Sequence, residues 1–250
     1  RRRNRYRAAP ASQHAAQSGA KPLRLRCADP HLRRPMPVRA ALDRLIAGDR
    51  AFACACTRRD LELEPLSLDG TRRYPGTCRD RIGLPPRAWR FRVPPGVVTF
   101  DDAICGVQSI DVAADVGDFV LWRADGFCAY QLAVVVDDAE QGVTDVVRGA
   151  DLLGSTPRQI LLQQALRLMQ PRYAHVPLVL DAHGEKLSKQ TLARPLEAAN
   201  AVPDLAEALC FLNHAPPAEV IAAGRDALLA WAIGHWRLAS CAGALEAQQR

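Results

Sequence analysis

Three cysteines stand close together in this chain: Cys54-x-Cys56, then Tyr74 after seventeen intervening residues and Cys78 after three more. Thiolates favour zinc strongly, and a fourth ligand completes a tetrahedral site able to hold a small loop that has too few apolar residues to fold alone. Three cysteines and a phenolate oxygen satisfy that count. Spacing alone leaves a second reading open, in which three buried thiols simply lie near a loop tyrosine, because a C-x-C pair is less specific than paired C-x-x-C motifs.

Two further groups have chemical potential. Lys186-Leu-Ser188-Lys189-Gln190 follows an apolar run and a turn bearing Asp181, His183 and Gly184. Lysines and a hydroxyl on a loop beyond the carboxyl end of a parallel strand can bind phosphates and stabilise charge on departing pyrophosphate. Without context, Lys-x-x-Lys is also a common solvated patch. Tyr130 and Arg148, 18 positions apart, each lie at or near the end of an apolar run. A guanidinium grips a carboxylate through paired donors, and a phenol can orient an amine or carboxylate beside it. The alternative is that Arg148 pairs with Asp145 or Asp151 on the surface and Tyr130 is core.

The elements that must hold these residues are legible in part. Val38, Ala41, Leu42, Leu45 and Ile46 recur at helical spacing, and Gly48 stands where a left-handed cap would end that helix. Strands are expected at Ala88 to Val93, Val97 to Phe100, Gln108 to Val112, Val143 to Val147 and Val176 to Leu180. Phe119 to Trp122 and Phe127 onward flank Ala124-Asp125-Gly126, a hairpin signal. Thr156 is placed to cap a helix, with Pro157 in its first turn and Gln159 completing a capping box. Pro203 to Leu212 and Ala218 to Leu238 read as helices. Strands alternating with helices imply a doubly wound α/β layer, followed by a small α-helical appendage.

Of the 33 basic residues, 11 fall within residues 1–39 beside a single acid, so that stretch carries +10 of the overall +6 and the rest of the chain is −4. Global charge therefore says little about function, and Arg1 to Pro37, with no periodicity, reads as an unstructured basic tail. No apolar run is long enough for a membrane span or a secretory signal, so the cytoplasm is the expected compartment. The eight cysteines suit reduced thiols and a metal better than a disulfide framework.

Taken together, Phe127-Cys-Ala-Tyr130 through Asp138, Gln141 through Arg148-Gly-Ala-Asp151, and Lys186-Leu-Ser-Lys189-Gln190 resemble the second catalytic half of class I tRNA synthetases of the glutamyl and glutaminyl type. The resemblance spans roughly Val38 to Ala239. It implies an α/β, Rossmann-like catalytic layer, incomplete here, with a zinc-bearing subdomain and a helical carboxyl-terminal appendage. The implied organisation is a tail at 1–37, a helix plus zinc insertion at 38–115, the second catalytic half at 116–195 and the appendage at 196–250. Cys54, Cys56, Tyr74 and Cys78 resemble the zinc set of the short, glutamyl-queuosine branch.

By the same resemblance Tyr130 and Arg148 bind glutamate. Lys186, Ser188 and Lys189 meet ATP, with Lys189 acting on the transition state. The implied substrates are L-glutamate, ATP with Mg2+, and the anticodon loop of tRNA(Asp) carrying queuosine, handled by a monomer. No HIGH-type motif precedes Val38, from which weak or absent adenylate formation is expected. The rival readings are a zinc-stabilised remnant that binds RNA or protein, and a fragment of an ordinary glutamyl-tRNA synthetase.

Overall fold

The computed structural model describes residues 37–67, 71–180, 186–187 and 196–242. The basic stretch expected to be a tail therefore lies outside the described residues up to position 36, as do Ser188, Lys189 and Gln190. The chain divides into two compact units. One comprises the residues up to Phe100, Ser109–Thr144 and Gly154–Pro171; the other comprises Asp101–Gln108, Asp145–Leu153 and the residues from Arg172 onward.

The first unit begins with α1 (Pro37–Ala47), whose Val38, Ala41, Leu42 and Leu45 form a buried stripe at the i, i+3, i+4, i+7 spacing of an amphipathic helix. The residue that ends it in the left-handed region is Asp49, at φ 51°, rather than Gly48. Asp tolerates this conformation better than most non-glycine residues, and Gly48 instead donates its N–H to the Arg44 carbonyl. A three-stranded antiparallel sheet follows, ordered β1 (Ala51–Cys54), β2 (Ala88–Phe91), β5 (Val120–Trp122).

The turn at Ala124–Gly126 forms as expected, with Arg123 N–H donating to Phe127, but its second arm stops at one bridge between Trp122 and Cys128. The chain, which passes through the short helix α2 (Val112–Asp115) before β5, then enters α3 (Tyr130–Glu140), packed with α1 and with α4 (Thr156–Leu166). Leu42, Leu45, Leu132, Leu162 and Leu166 are essentially inaccessible to solvent, each contributing on the order of 2 kcal/mol by burial. At its start α4 departs from the expected capping box: Thr156 is already helical and buried, Ser155 precedes it without a side-chain cap, and Gln159 bonds Gln131 instead. Its far end is held from outside, where Arg44 donates to the Leu166 carbonyl at 2.6 Å, a cation at the negative end of the helix dipole.

In the second unit β6 (Asp145–Gly149) runs parallel to β7 (Arg172–Val176) with Arg148 opposite His175. The strand expected at Val176 to Leu180 thus lies four residues earlier, because Pro177 has no N–H for the ladder and ends it. β3 (Val97–Asp102) and β4 (Gly106–Asp111), of which Asp101–Gln108 belongs to this unit, make the hairpin that completes the order β4-β3-β7-β6, and Asp102 sits opposite Tyr173. The small helices α5 (Ala201–Phe211), α6 (Ala218–Ala222) and α7 (Arg225–His235) share a core of Ala206, Leu209, Leu228 and Ala232. The single helix expected from Ala218 is broken at Gly224, whose φ of 94° no helix accommodates. Among the described residues no helix is long and apolar enough to cross a membrane.

Candidate functional site

Within the first unit, the cysteine motif closes on itself. Cys54 ends β1, Cys56 follows two residues later, and the loop returning to β2 brings back Tyr74 and Cys78. The three Sγ atoms lie within 4.8 Å of one another. Cys56 and Cys78 sulfurs are 3.5 Å apart, and the Tyr74 hydroxyl lies 3.6 Å from Cys54 Sγ and 3.8 Å from Cys56 Sγ. A tetrahedral ion with Zn–S bonds of about 2.3 Å places its sulfurs about 3.8 Å apart and a phenolate oxygen slightly nearer. One sulfur–sulfur and two hydroxyl–sulfur separations come close to those edges, so the four side chains fit a zinc ion. Tyr74 also accepts the Cys78 N–H at 2.7 Å, which fixes its hydroxyl in the cluster.

The electrostatics suit an ion as well. Burial, then hydrogen bonding with Cys78, pushes the Cys56 thiol up to about 11. The Tyr74 phenol is raised chiefly by burial. Burial also works to raise Cys78, but the Ala55 N–H and bonds from Tyr74 and Cys56 outweigh it and bring that thiol down to about 7. Any metal entering must displace the protons of Cys56 and Tyr74. Arg90 supports the set from behind: its Nε donates to Cys54 Sγ at 3.4 Å, its guanidinium stands 4.0 Å over the Tyr74 ring, and it donates to the Asp118 carbonyl at 3.0 Å. A buried cation there would offset the excess negative charge that three thiolates and a phenolate would carry around a bound metal, in the way outer partners usually orient metal ligands.

Tyr130, the first residue of α3, is 52 % exposed and so is not core. It lines a cavity of about 690 Å³ that also takes in Cys56 and the arginines Arg58, Arg59, Arg87 and Arg123. Next to Tyr130, Gln131 donates to Ser155 Oγ at 3.1 Å and accepts from Gln159 at 2.9 Å, while Arg158 donates to the same Ser155 oxygen. This buried polar network pins the start of α3 to the start of α4. Sequence reading had passed over it, since glutamines on a helix look like solvent-facing residues.

Arg148 belongs to the second unit, near the carboxyl end of β6. Its Nε donates to His175 Nε2 at 2.9 Å, its terminal nitrogen to the Leu152 carbonyl at 3.4 Å, and its guanidinium lies 5.6 Å from the Tyr173 ring centroid. His175 Nδ1 in turn meets Asp102 Oδ2 at 2.6 Å, with both side chains wholly buried. The other oxygen of Asp102 accepts the backbone N–H groups of Ile104, Cys105 and His175. Burial works to raise Asp102, but the Cys105 N–H, the His175 ring and the remaining donors hold it below its ordinary value. Burial lowers His175 against the pull of Asp102.

The two surface partners considered for Arg148 have bonds of their own: Asp145 pairs with Arg172 at 2.7 Å, and Asp151 pairs with Lys186. Gly149 is what lets Asp151 approach, since a Cβ there would stand 2.5 Å from its carboxylate. Arg148, Asp151 and Lys186 are therefore tied to one end of one parallel sheet, where α/β layers present their ligand-binding groups.

A family profile for the catalytic domain of class I tRNA synthetases (E and Q) matches residues 37–210. A Glutamyl-Q tRNA(Asp) synthetase of Chromobacterium violaceum is 54 % identical over 203 residues, covering 80 % of this chain and 67 % of that protein. One from Aromatoleum aromaticum is 51 % identical over 84 % of this chain and 67 % of its own length. The chain thus spans about two thirds of the length of these curated relatives. Among solved structures, a glutamate tRNA ligase from Elizabethkingia meningosepticum in complex with its amino acid aligns with a TM-score of 0.51 and 25 % identity, over 65 % of this chain and 38 % of that one.

Proposed function

The chain belongs to the class I tRNA synthetases of the glutamyl and glutaminyl type, a family of ligases, and on that premise we propose that it activates L-glutamate with ATP and transfers it to the queuosine base of tRNA(Asp). The observation that carries this reading is the conjunction of Arg148, anchored on three sides at the carboxyl end of β6, with relatives at 51–54 % identity that bear the glutamyl-Q tRNA(Asp) name.

In the proposed reaction a glutamate carboxylate oxygen attacks the α-phosphorus of ATP, the bond to the β,γ-phosphates breaks, and pyrophosphate leaves with Mg2+. A hydroxyl of the queuosine ring then attacks the activated carbonyl, forming the ester and releasing AMP. Arg148 binds a glutamate carboxylate through paired charge-assisted bonds, and Tyr130 orients the substrate. Lys186, Ser188 and Lys189 contact ATP, with Lys189 countering the charge that develops on the phosphates. The arginine-lined cavity beside Tyr130 supplies an electropositive surface for RNA phosphates. Zinc, held by Cys54, Cys56, Tyr74 and Cys78, would fix the loop between β1 and β2.

Glutamate-dependent exchange of labelled pyrophosphate into ATP tests the activation step. With a HIGH-bearing segment supplied upstream, exchange with L-glutamate and none with L-glutamine or L-aspartate is expected. Exchange absent under all conditions, with the protein folded and RNA still bound, would favour the rival reading of a non-catalytic binding remnant.

A further inference from the structure

Asp102, His175 and Arg148 stand on β3, β7 and β6, three strands adjacent in one parallel layer, and their side chains form an unbroken line across it. The direction of the protons along that line is fixed by chemistry. A guanidinium has only donors, so His175 Nε2, 2.9 Å from Arg148 Nε, must carry the lone pair. The proton of the neutral ring then sits on Nδ1 and is donated to Asp102, 2.6 Å away. The far carboxylate oxygen takes three backbone N–H groups, which prevents the acid from turning.

We propose that His175 and Asp102 are positioning residues for glutamate recognition: Asp102 fixes the His175 tautomer, and His175 holds the Arg148 guanidinium in the plane that grips the substrate carboxylate. The inference rests on the reading of Arg148 as the glutamate-binding arginine. A buried tautomer-setting pair is a large commitment of polar groups, since each would be costly to bury unpaired. No step of the reaction needs them for proton transfer. Across the strands, their described bonds converge on Arg148.

A pH dependence follows. The groups facing His175 are Asp102 and Cys105 from the β3–β4 hairpin, Arg148 and Asp151 from β6 and the turn after it, and the Tyr173 ring on β7. Protonating His175 converts its Nε2 into a donor pointed at another donor. Because the folded histidine is held below its ordinary value, this contribution persists through the usual histidine range and fails only as pH falls below that range.

Titration calorimetry of L-glutamate against the purified protein, with steady-state KM for glutamate and ATP, distinguishes the outcomes. His175→Leu should weaken glutamate binding roughly 10- to 100-fold with little change in the KM for ATP. His175→Gln, whose amide oxygen can take the place of Nε2, should recover most of it and lose the acid limb of the pH profile. Asp102→Asn should resemble His175→Leu although it is nearly isosteric, because its amide donates to Nδ1 and forces the proton onto Nε2. Nitrogen NMR of the ring should find Nδ1 protonated in the wild type and Nε2 protonated in Asp102→Asn.

Wild-type affinity in His175→Leu and Asp102→Asn, alongside lost binding in Arg148→Ala, would overturn the positioning role while leaving the Arg148 reading in place. Unchanged affinity in Arg148→Ala would overturn that reading itself. Equal loss in His175→Gln and His175→Leu, or an Nε2-protonated wild-type ring, would also overturn the proposal by making the pair merely structural.

Discussion

Arg148→Ala should reduce glutamate-dependent pyrophosphate exchange by roughly 30- to 5,000-fold, with the loss falling on glutamate rather than ATP. Truncating one partner of a desolvated, hydrogen-bonded charge pair costs about 2–5 kcal/mol, because the other charge is left without its counterpart. Arg148 is half-buried and already braced by His175, the Leu152 carbonyl and the Tyr173 ring, so its guanidinium is ordered before substrate arrives. Preorganisation of this kind is what makes a binding group discriminate. Arg148→Lys should recover little, since a single ammonium offers neither the planar pair of donors nor the Nε bond to His175. Full activity in Arg148→Ala would remove the glutamate assignment.

The second large effect concerns the cysteine cluster. Purified protein should carry about one zinc per chain, and Cys56→Ala should carry essentially none. The loop from Ala55 to Arg87 contains one short helical turn and one bridge, Leu66 to Arg72, among its described residues. Its apolar support is a small cluster of Phe52, Cys54, Tyr74 and Cys78 with Ala55, Cys56, Leu61 and Leu84, while Leu63 and Ile82 are fully exposed.

Metal binding energy then becomes folding energy for that segment. A strong chelator should lower the thermal midpoint and open the loop to proteolysis first. Acid should do the same, because Cys56, pushed up to about 11, and the raised Tyr74 give up protons to bind metal and recapture them as pH falls. Wild-type protein without zinc, or zinc unchanged in Cys56→Ala, would refute the assignment.

What could be read from the sequence tracks how local the determining interactions are. The clustering of Cys54, Cys56 and Cys78 was legible because residue type and spacing are properties of one segment. The α1 stripe was legible for the same reason, its period being written into eight consecutive positions. The second arm of the turn at Asp125-Gly126 was not. Val134, Val135 and Val136 favour strands in isolation, yet packing of Leu132, Val135 and Val136 against α1 and α4 makes α3 a helix.

Tyr130 and Arg148 were singled out through motif order. The partners behind Arg148 were missed, because His175 and Asp102 are 73 positions apart and meet only when β3 and β7 pair. The displaced boundary of β7 hid His175 further by leaving it just outside the expected strand. Its one local signal is a histidine in a run of buried residues, Tyr173 to His175, where an imidazole needs partners on both nitrogens.

The central claim is the transfer of glutamate to a modified base, and the acceptor tests it most directly. The protein, supplied with a HIGH-bearing segment upstream, should be incubated with ATP, Mg2+, labelled L-glutamate and three RNAs: queuosine-containing tRNA(Asp), tRNA(Asp) lacking queuosine, and tRNA(Glu). Label should appear on the first alone, and digestion should place it in the anticodon loop rather than at the 3′ end. Labelling of tRNA(Glu) at its 3′ terminus, or equal labelling of tRNA(Asp) with and without queuosine, would contradict the account.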